Sequence, residues 1–107
     1  MLLYIDSTNN LKTIVKLDKE KIIKTYDSPR EQDVLGAIQE ILKANNQTFK
    51  DISAIELNQG PGSFTGTRVG VTIANTLAFA LRVKVNGKKP PVFPIYDQPP
   101  NITKPKK

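Results

Sequence analysis

An α/β domain built on a mixed sheet is predicted by three features of this 107-residue chain. Residues 2–26 contain three short segments of strand-like composition, separated by polar turn residues. Two longer segments carry apolar residues at helical spacing, and a fourth strand-like run lies between them. The resulting order is β-β-β-α-β-α, and a short final strand is predicted after the second helix.

The three opening strands are predicted at residues 2–5, 11–17 and 21–26. Short polar turns join them, and strands joined in this way pair as antiparallel hairpins. The chain is therefore expected to begin with a three-stranded antiparallel meander.

The first helix is predicted from about residue 30 to residue 45, where Asn45 and Asn46 end it. Ser28 is the expected cap and Pro29 the expected first helical residue, because the N–H that proline lacks would have no helical partner there. The apolar residues of this helix form one stripe that can lie on a sheet: Val34, Ile38, Ile41 and Leu42.

A fourth strand at residues 52–57, a glycine-rich loop at residues 60–68 and a second helix at residues 69–81 follow. Short strands are expected at 83–85 and 92–95. The order β-β-β-α-β-α-β with a mixed sheet is typical of the ribonuclease-H-like fold that actin-like ATPases (ASKHA) share, here as a single lobe. We expect the lobe to span residues 1–96 and a flexible Pro- and Lys-rich tail to span residues 97–107.

The second helix is predicted to have three faces of different chemistry. Small residues recur every four positions and form a ridge that another element can approach closely: Gly66, Gly70, Ala74 and Ala78. A mixed polar stripe with one large ring consists of Arg68, Thr72, Asn75 and Phe79. An apolar face consists of Val69, Ile73, Leu77 and Leu81. These faces favour contact with a partner, and the alternative is that the ridge packs against the chain's own sheet or first helix.

The glycine-rich loop does not match the known phosphate-binding motifs. A P-loop ends in Gly-Lys-Ser/Thr, because its lysine reaches the terminal phosphates, whereas Gly66-Thr67-Arg68 stands here. The dinucleotide fingerprint also fails, since no acidic residue for the ribose follows about 20 positions later. The loop is therefore predicted to be structural, with Ser63 and Thr65 as helix caps. Its residues are Gly60, Pro61, Gly62, Ser63, Phe64, Thr65 and Gly66.

Catalytic chemistry has few candidate residues in this sequence. The chain has no His and no Cys, which excludes His-based triads and argues against a soft-metal site. Asp6 is well placed at the end of the first strand, but metal-dependent phosphodiester cleavage needs several such carboxylates. The sequence therefore predicts neither a metal site nor a cofactor.

The net charge of +6 is concentrated in the C-terminal quarter. Residues 1–81 carry nine basic and nine acidic side chains, whereas residues 82–107 carry seven basic ones and Asp97. This segment is either a solubilising tail or an RNA contact with salt-dependent affinity. No stretch has the features of a signal peptide or a membrane helix, so a cytoplasmic protein without membrane contact is predicted.

The loop and the helix after it resemble the signature of the TsaB family, also called YeaZ. In that family the loop reads GPGSFTGLRIG, and this chain has GPGSFTGTRVG at residues 60–70. Asp6-Ser7-Thr8 resembles the Asp-Thr-Ser loop of the family's first strand, whereas Arg30-Glu31-Gln32 stands where His-Ser-Glu is usual. The resemblance covers roughly residues 1–87.

The resemblance implies a non-catalytic partner of a TsaD-like enzyme, which transfers threonylcarbamoyl to adenosine 37 of tRNA, with a TsaE-like ATPase assisting. It implies that the partner contacts the first and second helices. The residues expected at that interface are Leu35, Gln39, Arg68, Gly70, Thr72, Ala74, Asn75 and Phe79. The second lobe of the family has no counterpart in this sequence, so half of an ATP site is missing and Asp6 is expected to keep at most a vestigial nucleotide contact.

Three alternatives stay open at this stage. One is an actin-like nucleotide-binding ATPase domain, and another is an accessory that binds tRNA through its basic residues 82–107. A homodimer through the same two helices is expected where the partner is absent. The chain itself is either a naturally minimal family member or a fragment.

Overall fold

The computed structural model describes residues 1–95, so the predicted tail at 97–107 lies outside the described residues. Four strands form one sheet in the order β3-β2-β1-β4. Strands β1 (Leu2–Asp6), β2 (Lys12–Leu17) and β3 (Glu20–Thr25) are antiparallel neighbours, and β4 (Ala54–Leu57) runs parallel to β1. The predicted meander and the mixed sheet are confirmed.

Helices α1 (Val34–Ala44) and α2 (Phe64–Leu81) pack side by side on one face of the sheet. Helix α1 lies over β2 and β3, and α2 lies over β1 and β4. Alternate strand residues point to these helices and are buried, which follows from the two-residue period of a strand. The predicted stripe of α1 is confirmed, because Val34, Ile38, Ile41 and Leu42 are all buried in the core.

Neither helix covers the opposite face of the sheet. Tyr4 lies on this open face, and the Lys16 ammonium lies 5.1 Å from the centroid of its ring. Partial burial, followed by the charge and hydrogen bond of Asp6 and the charge of Glu56, raises the pKa of the Tyr4 phenol above its ordinary value. Ile23, also on this face, is 49% exposed. Within residues 1–95, no helix is long and apolar enough to cross a membrane.

The start of α1 differs from the prediction. Residues Pro29–Glu31 form a single 3-10 turn, and the Ser28 side chain accepts no backbone hydrogen bond. Gln32 then adopts an extended backbone, and α1 begins at Val34. Asp33 caps it, because its Oδ1 accepts a 2.8 Å hydrogen bond from the N–H of Gly36.

The start of α2 also differs, since the helix begins five residues before the predicted position 69. Residues 64–68 belong to its first turns and not to the loop. Helix α2 ends at Leu81, and Arg82 adopts a left-handed backbone with φ of 59°.

The predicted final strands are wrong as regular elements. Val85 makes isolated bridges to Ile55 and Lys88, and residues 92–95 form no strand. The N–H of Ile55 donates to the Lys84 carbonyl at 3.1 Å, and the N–H of Asn86 donates to the Ile55 carbonyl at 2.8 Å. A turn at Asn86 and Gly87 stops this pairing after one bridge, and the prolines that follow supply no ladder donors.

Candidate functional site

The loop between β4 and α2 is held by the chain's own first loop. The Ser63 N–H donates a 2.6 Å hydrogen bond to the Thr8 carbonyl. The Ser63 hydroxyl accepts a 3.2 Å bond from the Gly66 N–H and caps α2, as predicted. Thr65, the other predicted cap, lies exposed in the first turn and does not cap the helix.

The glycines of this loop, and Gly66 in the first turn of α2, allow close contact with other parts of the same chain. A Cβ atom at Gly62 would lie 2.5 Å from Thr8 Cβ, and one at Gly66 would lie 2.5 Å from the Ser7 carbonyl oxygen. Gly60 has φ of 106°, a conformation that favours glycine, and a Cβ atom there would overlap the Ile95 carbonyl oxygen. Other segments of the same chain, at Ser7, Thr8 and Ile95, therefore make the close approach that these glycines permit.

Asp6 forms the centre of a turn after β1. Its Oδ1 accepts hydrogen bonds from the N–H of Thr8 at 3.0 Å and from the Thr8 hydroxyl at 2.7 Å. Its Oδ2 accepts a 3.2 Å bond from the Asn58 amide and a longer one from Tyr4. Both carboxylate oxygens are thus engaged inside the chain. The described residues contain no cluster of three or more His, Cys, Asp or Glu side chains that could hold a metal ion.

The small-residue ridge of α2 faces inward. Gly66, Gly70, Ala74 and Ala78 are all buried in the chain's own core. A Cβ atom at Gly70 would overlap Ser7 Oγ, which donates a 2.6 Å hydrogen bond to the Gly66 carbonyl. The expectation that Gly70 and Ala74 contact a partner is therefore corrected, because the ridge is occupied by the Ser7 loop and the sheet.

The predicted apolar face of α2 is less buried than the small-residue ridge. Val69 is 37% exposed, and Ile73, Leu77 and Leu81 are partly buried at the margin of the core. Small residues face the sheet because the helix lies so close to β1 and β4 that larger side chains do not fit between them.

The outward side of the two helices brings several predicted interface residues to the surface. Leu35 on α1 is 41% exposed and Gln39, one turn further, is exposed. On α2, Arg68 and Thr72 are exposed and line a shallow groove of about 340 Å³. The groove also includes Thr65, Val69 and Ile73. The Arg68 guanidinium lies 5.1 Å from the centroid of the Phe64 ring. We call this surface, formed by Leu35, Gln39, Thr65, Arg68, Val69 and Thr72, the two-helix face.

Asn75 and Phe79 do not belong to the two-helix face. The Asn75 side chain accepts from the N–H of Val92 and donates to its carbonyl, both at 2.9 Å. It therefore fixes the C-terminal segment of this chain. Phe79 is 60% exposed beside Arg82 and Lys89, about 16 Å along the helix axis from Arg68.

The sequence did not indicate the structural importance of Asn86. Its side chain bonds the N–H of Leu57 at 2.8 Å, the Leu57 carbonyl at 2.9 Å and Gln59 Oε1 at 2.8 Å. These bonds continue the sheet edge where no regular strand exists. The signal that was available is the Asn86-Gly87 pair, a strong local indicator of a tight hairpin turn.

Thr67 gives a first testable prediction, because its hydroxyl is buried and has no hydrogen-bond partner within the described residues. Thr67→Val is expected to raise the free energy of unfolding by about 1 kcal/mol, since an unpaired polar group leaves the core. Urea denaturation measures the change. Thr13→Val is the matched control, because the equally buried Thr13 hydroxyl accepts from Tyr26 and Gln32, and its loss should be destabilising. A loss of stability in Thr67→Val would contradict the prediction.

Comparison with known proteins places this arrangement in a family. Residues 29–87 match the family model described as TsaD: tRNA N6-adenosine threonylcarbamoyltransferase. The chain is 32% identical over 89 residues to the tRNA threonylcarbamoyladenosine biosynthesis protein TsaB of Bacillus subtilis (strain 168), covering 79% of this chain and 39% of that protein. It is 41% identical over 61 residues to TsaB of Escherichia coli (strain K12), covering 55% of this chain and 26% of that protein.

The fold has counterparts among solved structures. YeaZ from Pseudomonas aeruginosa superposes with a TM-score of 0.66 at 24% identity, over 78% of this chain and 41% of that one. The chain thus spans well under half the length of these relatives. Because the family model described as TsaD matches more than half of the chain and the sequence relatives are named TsaB, the chain belongs to the TsaB (YeaZ) family within the group that the TsaD model describes.

Proposed function

We propose that this chain is a non-catalytic accessory subunit in the synthesis of threonylcarbamoyladenosine in tRNA, and that it binds a TsaD-like enzyme through the two-helix face. The relatives are named as proteins of this biosynthesis, and the matching family model is named for the transferase. The two-helix face is the observation that carries the partner assignment.

The two-helix face has the composition of a protein contact. Two neighbouring helices present partly exposed aliphatic side chains on this face, Leu35 and Val69. Gln39, Thr72 and Arg68 add polar groups to the same face. Aliphatic side chains, polar groups and an arginine are therefore all present on it. Such a combination is typical of protein–protein interfaces.

The engaged state of Asp6 supports a non-catalytic role. A carboxylate that binds a metal or activates water needs free lone pairs, whereas Asp6 uses both oxygens to hold Thr8 and Asn58. A vestigial nucleotide contact at Asp6 would have to break part of this turn.

Val69→Asp is expected to weaken binding to the TsaD-like protein of the same organism by roughly 30-fold or more, because it replaces an exposed aliphatic side chain of the proposed interface with a charge. Isothermal titration calorimetry of the purified proteins measures the affinity. Ile23→Asp is the matched control, because Ile23 is similarly exposed but lies on the open face of the sheet.

The proposal fails if the wild-type chain shows no affinity for the enzyme, or if both variants weaken it equally. Analytical ultracentrifugation of the chain alone tests the homodimer. If a second copy occupies the same face when the enzyme is absent, Val69→Asp should also shift the chain towards monomer.

A further inference from the structure

A basic surface lies at the C-terminal end of α2. From residue 57 to residue 95 the chain contains no Asp or Glu. Four exposed cations follow the helix closely: Arg82, Lys84, Lys88 and Lys89. Within residues 1–95 none of the four forms an ion pair. These cations therefore attract counterions from the solvent, which a polyanion would displace.

Two grooves on this surface meet at Lys89. The first, of about 360 Å³, lies between Phe79, Arg82, Lys84 and Pro90. The second, of about 200 Å³, lies between Lys88, Phe93 and Gln59. Each groove therefore combines one exposed phenylalanine with cations. The Phe79 side chain is 60% exposed and that of Phe93 is 68% exposed.

The walls of these grooves are fixed by hydrogen bonds. Asn75 holds both backbone groups of Val92 at 2.9 Å, and the Gln59 side chain donates a 2.9 Å bond to the Phe93 carbonyl. Residues Val85 and Lys88 exchange two backbone hydrogen bonds of 2.9 Å across a tight turn with positive φ at its two central residues. The backbone that carries Lys88 and Phe93 is thus fixed before any ligand arrives, which lowers the entropic cost of binding.

We propose that these two grooves bind unpaired RNA. Phosphates of the strand contact Arg82, Lys84, Lys88 and Lys89, and bases stack on the rings of Phe79 and Phe93. Exposed aromatic rings beside cations are suited to unpaired nucleotides, because every base has a face to stack and every nucleotide carries one charge. A duplex offers its phosphates but hides its base faces, so it should bind more weakly. This inference concerns a surface apart from the two-helix face and does not depend on the enzyme partner.

Fluorescence anisotropy with a labelled, mixed-sequence, single-stranded RNA of about 12 nucleotides tests the proposal on the full chain. Phe79→Leu and Phe93→Leu are each expected to weaken binding by about 5- to 100-fold, the usual effect of losing one stacked base. Lys88→Gln and Lys89→Gln should each reduce the slope of log affinity against log salt by about 0.7.

Matched controls locate the effect. Phe64→Leu removes a ring of almost equal exposure (59%) at the other end of α2, and Lys50→Gln removes an exposed lysine elsewhere. Both should bind RNA like the wild type. A triple variant with glutamine at Lys104, Lys106 and Lys107 should keep the stacking-dependent part of the affinity.

Several results would overturn the proposal. The proposal is wrong if the chain has no measurable affinity for RNA, or binds a duplex of the same sequence equally well. It is also wrong if the two controls lose as much affinity as the Phe79 and Phe93 variants, or if the triple variant loses all affinity. Binding of phosphatidylserine vesicles without binding of RNA would instead assign the surface to a membrane. Circular dichroism of each variant verifies that the exposed substitutions leave the fold intact.

Discussion

Gly70→Leu is expected to lower the free energy of unfolding by about 4 kcal/mol, through overpacking and the loss of one buried hydrogen bond. Gly70 is buried, and any Cβ atom there would overlap Ser7 Oγ. Ser7 is only 1% exposed, and its hydroxyl donates a 2.6 Å bond to the Gly66 carbonyl. A larger side chain displaces this hydroxyl and also presses on Leu57, whose Cδ1 would lie 3.6 Å from the new Cβ. Urea denaturation of the full chain measures the loss.

A double-mutant cycle identifies Ser7 as the cause. Gly70→Ala alone is expected to cost about 2 kcal/mol despite the better helix propensity of alanine. Ser7→Ala alone should cost about 1 kcal/mol for its hydrogen bond. When both residues are alanine the overlap with Ser7 Oγ is absent, so the combined loss should be smaller than the sum by about 1 kcal/mol or more. Strict additivity would contradict the assignment. Gly70→Leu is therefore a probe of the fold and not of the partner interface.

The ridge that contains Gly70 shows what a helical pattern specifies. Small residues at every fourth position indicate that another element approaches closely, and all four ridge residues are indeed buried. The pattern does not identify the approaching element, because a strand of the same chain and a helix of another protein require the same small side chains. Here the Ser7 loop and the sheet occupy the ridge. The contact surface that we propose contains the exposed residues Val69 and Thr72 instead.

The order of the strands and the stripe of α1 were predictable because both follow from local periodicity and turn residues. The start of α1 was not, because Ser28 and Pro29 have the residue types of a helix start, but Asp33 rather than Ser28 receives the backbone hydrogen bond. The C-terminal segment was the least predictable part. Its position depends on side chains that form hydrogen bonds with backbone groups far away in sequence, such as the Asn75 side chain with the N–H and carbonyl of Val92.

The family signature in the loop was recognisable from sequence, whereas the geometry of the candidate site was not. Leu35, Gln39, Arg68 and Thr72 lie on the predicted two-helix surface. Phe79 lies on the same polar stripe in sequence but at the far end of an 18-residue helix, in a different chemical environment. A stripe on a long helix is therefore not necessarily one contact surface.

Asn86→Ala is expected to lower the free energy of unfolding by about 3 kcal/mol, the second large effect. The Asn86 side chain pairs both backbone groups of Leu57, a core residue that is 5% exposed. Alanine leaves that N–H and carbonyl without these partners. It must also adopt φ of 53°, a left-handed conformation that asparagine tolerates better.

Asn46→Ala separates the two causes of this loss. Asn46 has an almost identical φ of 55°, but it is exposed and its side chain makes no hydrogen bond within the described residues. It should therefore report the backbone cost alone, about 1 kcal/mol. Hydrogen exchange at the Leu57 amide should accelerate in Asn86→Ala and stay unchanged in Asn46→Ala. Equal losses of stability in both variants would mean that the backbone conformation, and not the bonds to Leu57, holds this edge. Because the same turn positions Lys88 and Lys89, Asn86→Ala should also weaken the binding of single-stranded RNA, whereas Asn46→Ala should not.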